Sequence, residues 1–301
     1  MIFQRSRRPK YGYFALNAFL GGFLLIEFCG VVGVITGHYC GNRIALGIGL
    51  IVIVYGILQT IGHFLGVYVI PENRVAKAAR IADLLDLSGN ERILDVGTGR
   101  GLHAIEFAKR LTTGKVVAID IWHEHLRSTL KHYDFTSHTL GHSLQRTLEN
   151  AEIEQVAHKV SFRNMDANDL QFDENFFDVA ICGYILQHLH AGGRRRGDEQ
   201  KLCCMKKIYK ILKPEGRVVI FEAVHKGFTN FLAFTPFVYL FSRWLTEDYW
   251  RQILQNAGFK IEYTEVSQGN VVLVGRKQKG HRGIPNFGRL LSWDVLLVPS
   301  I

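Results

Sequence analysis

The chain has 301 residues, 48% hydrophobic and 21% charged, with a formal net charge of +9. That length houses one α/β domain with a sizeable core plus a further module. The excess charge lies at the ends, +4 in residues 1–10 and +4 in residues 276–301, which suits an anionic membrane surface and argues against a nucleic-acid-binding face.

The five cysteines, Cys29, Cys40, Cys182, Cys203 and Cys204, form no C-x-x-C pair and no disulfide framework. They read as reduced thiols in a cytosol-like compartment.

Residues 11–36 are apolar apart from a few positions, chiefly Asn17 and Glu27, and residues 44–70 carry no formal charge. Each run exceeds the roughly 20 residues that cross a bilayer core. The link Gly37 to Arg43 is short, so the pair predicts a transmembrane hairpin. A cleaved signal peptide fits poorly: the apolar run is too long and a second span follows at once. Two buried core helices are the soluble alternative. Arg5, Arg7, Arg8 and Lys10 precede the first span, Arg43 alone sits in the loop, and Arg74, Lys77 and Arg80 follow the second. The positive-inside rule then places both ends, and everything after residue 72, in the cytoplasm. Glu27 falls near mid-span, level with Tyr55, as Asn17 is with His63. Such groups avoid lipid. They are expected to face one another or the enzyme mouth, or Glu27 is hydrogen-bonded within the bundle.

Residues 73–88 read as an amphipathic helix, with Val75, Ala79, Ala82, Leu84 and Leu85 apolar and Arg74, Lys77 and Arg80 able to reach lipid headgroups. It runs straight into ERILDVGTGRG, residues 91–101, the stretch around which the chain is organised. An apolar strand ends at Asp95, then Gly97, Gly99 and Gly101 follow at alternate positions before a helix from Leu102. Glycines let a ligand approach the backbone, and the helix start offers unpaired N–H groups. A dinucleotide fingerprint would require glycine at position 102, where Leu102 stands.

A second strand, 115–120, ends in Asp120, 19 residues past Gly101. A carboxylate there accepts from a ribose diol in nucleotide-type sites. The alternative is a helix N-cap. Trp122 is placed to pack on an adenine. Five of the thirteen histidines fall in 123–142, and His138 and His142 share a helical face. No Cys or carboxylate completes a metal pattern, so a polar cover over the site mouth is the preferred reading. A helix at 143–157 leads to a third strand ending at Asp166 and Ala167. A fourth strand begins in 176–189 with an apolar run suited to burial on both faces, and it exits through Gly183 and Tyr184. A helix at 201–216 closes at Pro214 and Gly216, strand 217–223 follows, and a helix at 246–259 precedes two final strands.

DVGTGRG resembles motif I of the class I S-adenosylmethionine-dependent methyltransferases. Asp120, Asp166, FDVAICGYILQHL and LKPEGRVVIFE follow in the order such enzymes show. The likeness covers about residues 75–277 and is nearest the subgroup that methylates quinones, sterols and other small lipids. Glu215 departs from it, where many members carry glycine. The resemblance implies a doubly wound α/β fold with a mostly parallel seven-stranded sheet, preceded here by the hairpin. It divides the chain into residues 1–72 (basic arm and two spans), 73–278 (methyltransferase domain) and 279–301 (basic, apolar tail).

It further implies that S-adenosylmethionine meets Asp95, Gly97, Thr98, Gly99 and Gly101 at its amino-acid and ribose end. Asp120 and Ile121 would serve the ribose, Asp166 and Ala167 the adenine, and Cys182, Gly183 and Tyr184 the methyl side. His188 is the first candidate for a catalytic base, because imidazole titrates near neutrality, and Glu222 the second. His188 merely shaping the pocket is the plainer reading. No metal is expected. Seven of the twenty residues in 226–245 are aromatic. Such a patch suits a hydrophobic or lipid acceptor, a bilayer contact or a cover for the core. The alternatives are a methyltransferase for a soluble small molecule or protein side chain, and a non-catalytic membrane scaffold of the same fold.

Overall fold

A computed structural model describes residues 9, 11, 16–64, 72–122, 143–189, 194–224, 246–267 and 269–279. Residues 1–8 and 10 of the basic arm, the histidine-rich stretch 123–142, the aromatic segment 226–245 and the tail beyond 279 lie outside the described residues.

Helices α1 (Leu16–Tyr39) and α2 (Arg43–Phe64) form an antiparallel pair. Gly41 turns the chain at φ +64°, and the Asn42 side chain accepts from the N–H groups of Ile44 and Ala45, capping α2. Both helices are long and apolar enough to cross a membrane. Their apolar side chains point outward: Phe28 is 64% exposed and Ile51 70%. A helix in a buried core would hide such side chains.

The helices meet through glycine. A Cβ on Gly30 would lie 2.9 Å from Ile53 N, and one on Gly49 would lie 2.5 Å from Val34 N. Small residues are how helices approach closely where no hydrophobic force drives them together. Glu27 packs on Gly56 and accepts from Thr60 Oγ1 at 2.9 Å, so it is held inside the hairpin.

The rest is a seven-stranded sheet: β1 (Arg92–Val96), β2 (Lys115–Asp120), β3 (Val160–Asn164), β4 (Phe177–Gly183), β5 (Leu212–Ala223), β6 (Phe259–Ser267) and β7 (Asn270–Lys277). Its order is β3-β2-β1-β4-β5-β7-β6. Strands β1 to β5 are parallel, and β7 runs antiparallel to both its neighbours, so the sheet is mixed. The order reverses between β1 and β4, which opens a crevice at their carboxyl ends. Two apolar clusters cover the faces. Ile93, Ile105, Phe107 and Ile181 lie in one, and Leu94, Phe177, Met205 and Trp250 in the other.

Helix α3 (Glu72–Asp83) is shorter than its sequence suggests. Of the expected apolar positions Ala82, and Leu85 just past the helix end, are buried, Val75, Ala79 and Leu84 are half-buried, and Ala78 and Ile81 complete the buried stripe. Arg110 holds it through Asp83 and Ala79 O, and Arg80 pairs with Glu265 of β6. Arg80 thus ties the helix to the edge strand of the sheet. Helix α4 (Leu102–Arg110) follows the glycine turn, and α5 (Leu144–Ile153) is capped by Ser143. Helix α6 (Arg194–Ile211) ends before Pro214, and β5 starts at Leu212 because Phe177 pairs with that residue. Glu215 occupies the left-handed region at φ +66°, which is why glycine suits this position. Thr246 caps α7 (Glu247–Asn256) by accepting from Tyr249 N.

Candidate active site

Strand β1 delivers Asp95 to the crevice with 1% of its surface exposed. Asp95 Oδ2 accepts from Thr98 Oγ1 at 2.7 Å and from Ala104 N at 3.0 Å. Its Oδ1 is buried and has no partner among the described residues. Burial is the main force on this acid and pushes it up to about 7; the two hydrogen bonds oppose that and the Asp120 charge adds to it.

The turn that follows needs its glycines. Gly97, Gly99 and Gly101 have φ of +71°, +58° and +86°. A Cβ on Gly97 would also lie 2.6 Å from Ile185 Cγ1. Asp120 Oδ2 accepts from Gly99 N at 2.7 Å, and its Oδ1 accepts from Ile121 N at 2.8 Å. The carboxylate at the tip of β2 thus grips the rim of the turn. Ile121 is 48% exposed beside it.

Asp166 lies on the same edge, since Met165 N donates to Asp120 O. It is exposed, and its Oδ1 accepts from Asn168 N and Nδ2. Ala167 is buried next to it. Trp122 departs from expectation. Its ring is 2% exposed and its Nε1 donates to Gly99 O at 3.0 Å, so it buttresses the turn from below and offers no open face to an adenine.

On the other side of the crevice, the Cys182 side chain is wholly buried in the core, where burial pushes the thiol well up. Only its backbone borders the crevice. Gly183 ends β4 beside Gly97, as the pairing of Val96 with Cys182 requires. Tyr184 takes φ +57°, a left-handed conformation that costs a non-glycine residue roughly 1–3 kcal/mol and gathers at functional sites. Its hydroxyl donates to Asn270 Oδ1 at 2.6 Å and its N–H to Phe221 O.

Glu222 has no exposure, and its Oε1 accepts from Leu186 N at 2.8 Å. Burial pushes it up to about 8, against the pull of the backbone N–H groups of residues 185–187 and of Lys201. Glu222, the second candidate base, is enclosed at the turn Leu186–His188 and holds that turn through Leu186 N–H. His188 rides on the same turn, half-buried, with Nε2 3.4 Å from Gln187 Nε2.

Four residues of the site were not anticipated. Thr147 Oγ1 donates to Gly99 O at 2.9 Å, and Asn150 Nδ2 donates to Arg100 O at 3.0 Å, so α5 braces the glycine turn. Buried polar side chains three apart on an amphipathic helix were the available signal. Ile185 roofs Gly97, and the His103 ring lies on Gly183. Thr147→Val removes one of the two donors to Gly99 O and leaves Trp122 Nε1 in place, at about 0.5–1.5 kcal/mol. The expected result is several-fold weaker S-adenosylmethionine binding in titration calorimetry with a small fall in melting temperature.

Residues 87–258, more than half of the chain, match the methyltransferase domain family. The demethylmenaquinone methyltransferase of Lactiplantibacillus plantarum is 28% identical over 46% of this chain and 47% of its own length. The ubiquinone/menaquinone biosynthesis C-methyltransferase UbiE of Bdellovibrio bacteriovorus is 28% identical over 44% of each. The chain thus spans about half the length of the curated relatives it matches. Among solved structures, the 1,6-didemethyltoxoflavin-N1-methyltransferase of Burkholderia thailandensis is 20% identical, covering 69% of this chain and 80% of that one, with a TM-score of 0.48. The matched span holds the glycine turn, both acids and β1 to β5, and on it the chain belongs to the family of class I S-adenosylmethionine-dependent methyltransferase domains.

Proposed function

We propose that the chain is an S-adenosylmethionine-dependent methyltransferase, anchored in a membrane by its hairpin and acting on a hydrophobic, lipid-like acceptor. The observation that carries the enzyme reading is the crevice itself. A glycine cradle lies at the sheet's switch point between a buried, orphaned carboxylate oxygen on Asp95 and the Asp120 carboxylate. Those residues fit the cofactor. Asp95 Oδ1 suits its ammonium group, Gly97, Thr98, Gly99 and Gly101 admit its backbone-hugging middle, and Asp120 suits its ribose diol. Ile121 lies beside Asp120 at the ribose, Asp166 and Ala167 border the adenine end, and the backbone of Cys182 with Gly183 and Tyr184 borders the methyl side. Bound there, the cofactor supplies a sulfonium-activated methyl carbon for in-line transfer to a nucleophile, leaving S-adenosylhomocysteine. The chain contributes position and a dry wall. His188 takes the acceptor's proton where the acceptor carries one, with Glu222 holding its turn as a positioning residue.

Two features support the membrane side. The hairpin exposes apolar side chains along both helices. Helix α3 starts within eight residues of the end of α2, and its Arg74 is near enough to the crevice to act on His103 and Tyr184. An acceptor dissolved in the bilayer would therefore have a short path. The basic residues at both ends of the hairpin suit a cytoplasmic face for the catalytic domain. The relatives named above carry demethylmenaquinone, ubiquinone and menaquinone in their names, which favours an acceptor of the lipid-quinone kind.

The test is methyl-labelled S-adenosylmethionine offered to the full chain with an extract of total lipid. Label in the lipid phase is expected, and mass spectrometry then names the product. Label in protein with none in lipid would overturn the acceptor class. Absence of cofactor binding in calorimetry would overturn the enzyme reading.

A further inference from the structure

We propose that His103 is a positioning residue that sets the room for the sulfonium end of the cofactor by lying on Gly183 across the switch point. The proposal rests on the reading of this crevice as a methyltransferase site.

His103 is the second residue of α4, which starts above β1. Its ring nonetheless reaches the tip of β4, the neighbouring strand. A Cβ on Gly183 would lie 2.6 Å from His103 Nδ1 and 3.2 Å from Nε2, so the ring covers that glycine with no room for any side chain. Phe221, paired with Gly183 on β5, meets the ring edge-on at 6.1 Å between centroids. Tyr184 stacks edge-on against Phe221 at 4.7 Å, and its hydroxyl is tied to Asn270. The imidazole is thus boxed by β4, β5 and its own helix, at the place where Gly97 and Gly183 flank the crevice. It forms a wall that neither glycine can supply.

The wall is also uncharged. Burial, with Arg74 adding to it, pushes His103 down to about 4. Of the ionisable groups on the elements around it, Arg74 on α3 is the one that acts on the ring, and Asp95 on β1, Tyr184 after β4 and Glu222 on β5 stand at the same carboxyl edge of the sheet. A neutral aromatic face accepts a sulfonium methyl, whereas an imidazolium would repel it. The ring therefore acts by shape and neutrality, not by moving a proton.

Four variants test this: His103→Ala, His103→Phe, Gly183→Ala and His103→Ala with Gly183→Ala. The readouts are affinity for S-adenosylmethionine and S-adenosylhomocysteine, kcat, KM and melting temperature. Removing the ring should lower kcat about 10- to 100-fold, as a displaced reacting centre does. Affinity for the sulfonium form should fall more than affinity for the thioether form, with the melting temperature nearly unchanged. His103→Phe keeps a flat neutral face and should stay within about threefold of the wild type. Gly183→Ala should push the ring into the cofactor space and weaken binding at least tenfold, and the double variant should recover most of that loss. Wild-type kinetics in His103→Ala, or a double variant no better than Gly183→Ala, overturns the proposal. So does His103→Phe as poor as His103→Ala. Failure of the wild type to bind S-adenosylmethionine would instead remove the functional reading beneath it.

Discussion

Replacing Asp120 with alanine is expected to weaken S-adenosylmethionine binding by roughly 100-fold or more. A charge-assisted hydrogen bond is worth about 1.5–3 kcal/mol, and a ribose diol offers two. Each carboxylate oxygen of Asp120 accepts one backbone N–H, from Gly99 and Ile121. A carboxylate has about four acceptor positions, so the group can serve turn and diol together. The alanine variant loses both functions, and they must be separated. A cofactor analogue lacking the ribose hydroxyls does this through a double-mutant cycle. If Asp120 acts on the diol, the analogue binds the wild type poorly and loses little more in Asp120→Ala. If it acts only on the Gly99 N–H, both ligands lose affinity by the same factor. Asp120→Asn keeps one oxygen acceptor without the charge and should fall between.

The parts of this molecule that sequence revealed are those written in consecutive residues. An apolar run ending in an acid and three alternate glycines dictates a buried strand, a tight turn and a helix start. The structure has Arg92–Val96, three positive-φ glycines and Leu102–Arg110 in that order. The two hairpin helices were legible for the same reason. Boundaries that depend on a partner strand were not. The sequence around Pro214 reads as a helix end, yet β5 already begins at Leu212, because Phe177 lies opposite it in the sheet. Helix α3 loses its last turn where Asp86 takes φ +45°.

The site divides in the same way. Asp95 and Asp120 sit at strand tips and could be picked out. Thr147 and Asn150 reach the turn from 48 and 50 residues away, and no local pattern carries that contact. Trp122 shows the reverse error. Its place two residues after Asp120 suggests a ligand contact, but its indole N–H is spent on Gly99 O inside the fold. Glu222 stands at the tip of a strand, and its burial is not written in the neighbouring residues. The turn after β4 folds over it, since three successive backbone N–H groups need an acceptor there.

Those two buried acids give the domain an unusual pH response: the cofactor-free protein should lose stability as pH rises from about 5 to 9. Asp95 is pushed up to about 7 and Glu222 to about 8, whereas unfolded Asp and Glu titrate near 3.9 and 4.3. Between those limits the folded chain binds more protons than the unfolded one, so stability falls with rising pH. Each group's contribution is fully present below its unfolded pKa and is lost through its folded pKa. The loss is on the order of 3–5 kcal/mol per group. Glu222→Gln keeps an acceptor for Leu186 N–H and cannot ionise, so it should remove the Glu222 share of the slope, which lies between about pH 4.3 and pH 8. Glu222→Ala should destabilise at every pH, because it strands the backbone donors of the turn. Cofactor binding should abolish the Asp95 share differently. An ammonium group against Oδ1 favours the carboxylate, so binding expels a proton below pH 7 and tightens as pH rises toward it. Above about 8 the cofactor's own α-amino group deprotonates and affinity should fall again. Denaturant titrations at five pH values, with and without S-adenosylmethionine, measure all of this. A stability curve that climbs from pH 5 to 9, or an Asp95→Asn variant with the wild-type affinity profile, would show that neither carboxyl is held as the crevice geometry requires.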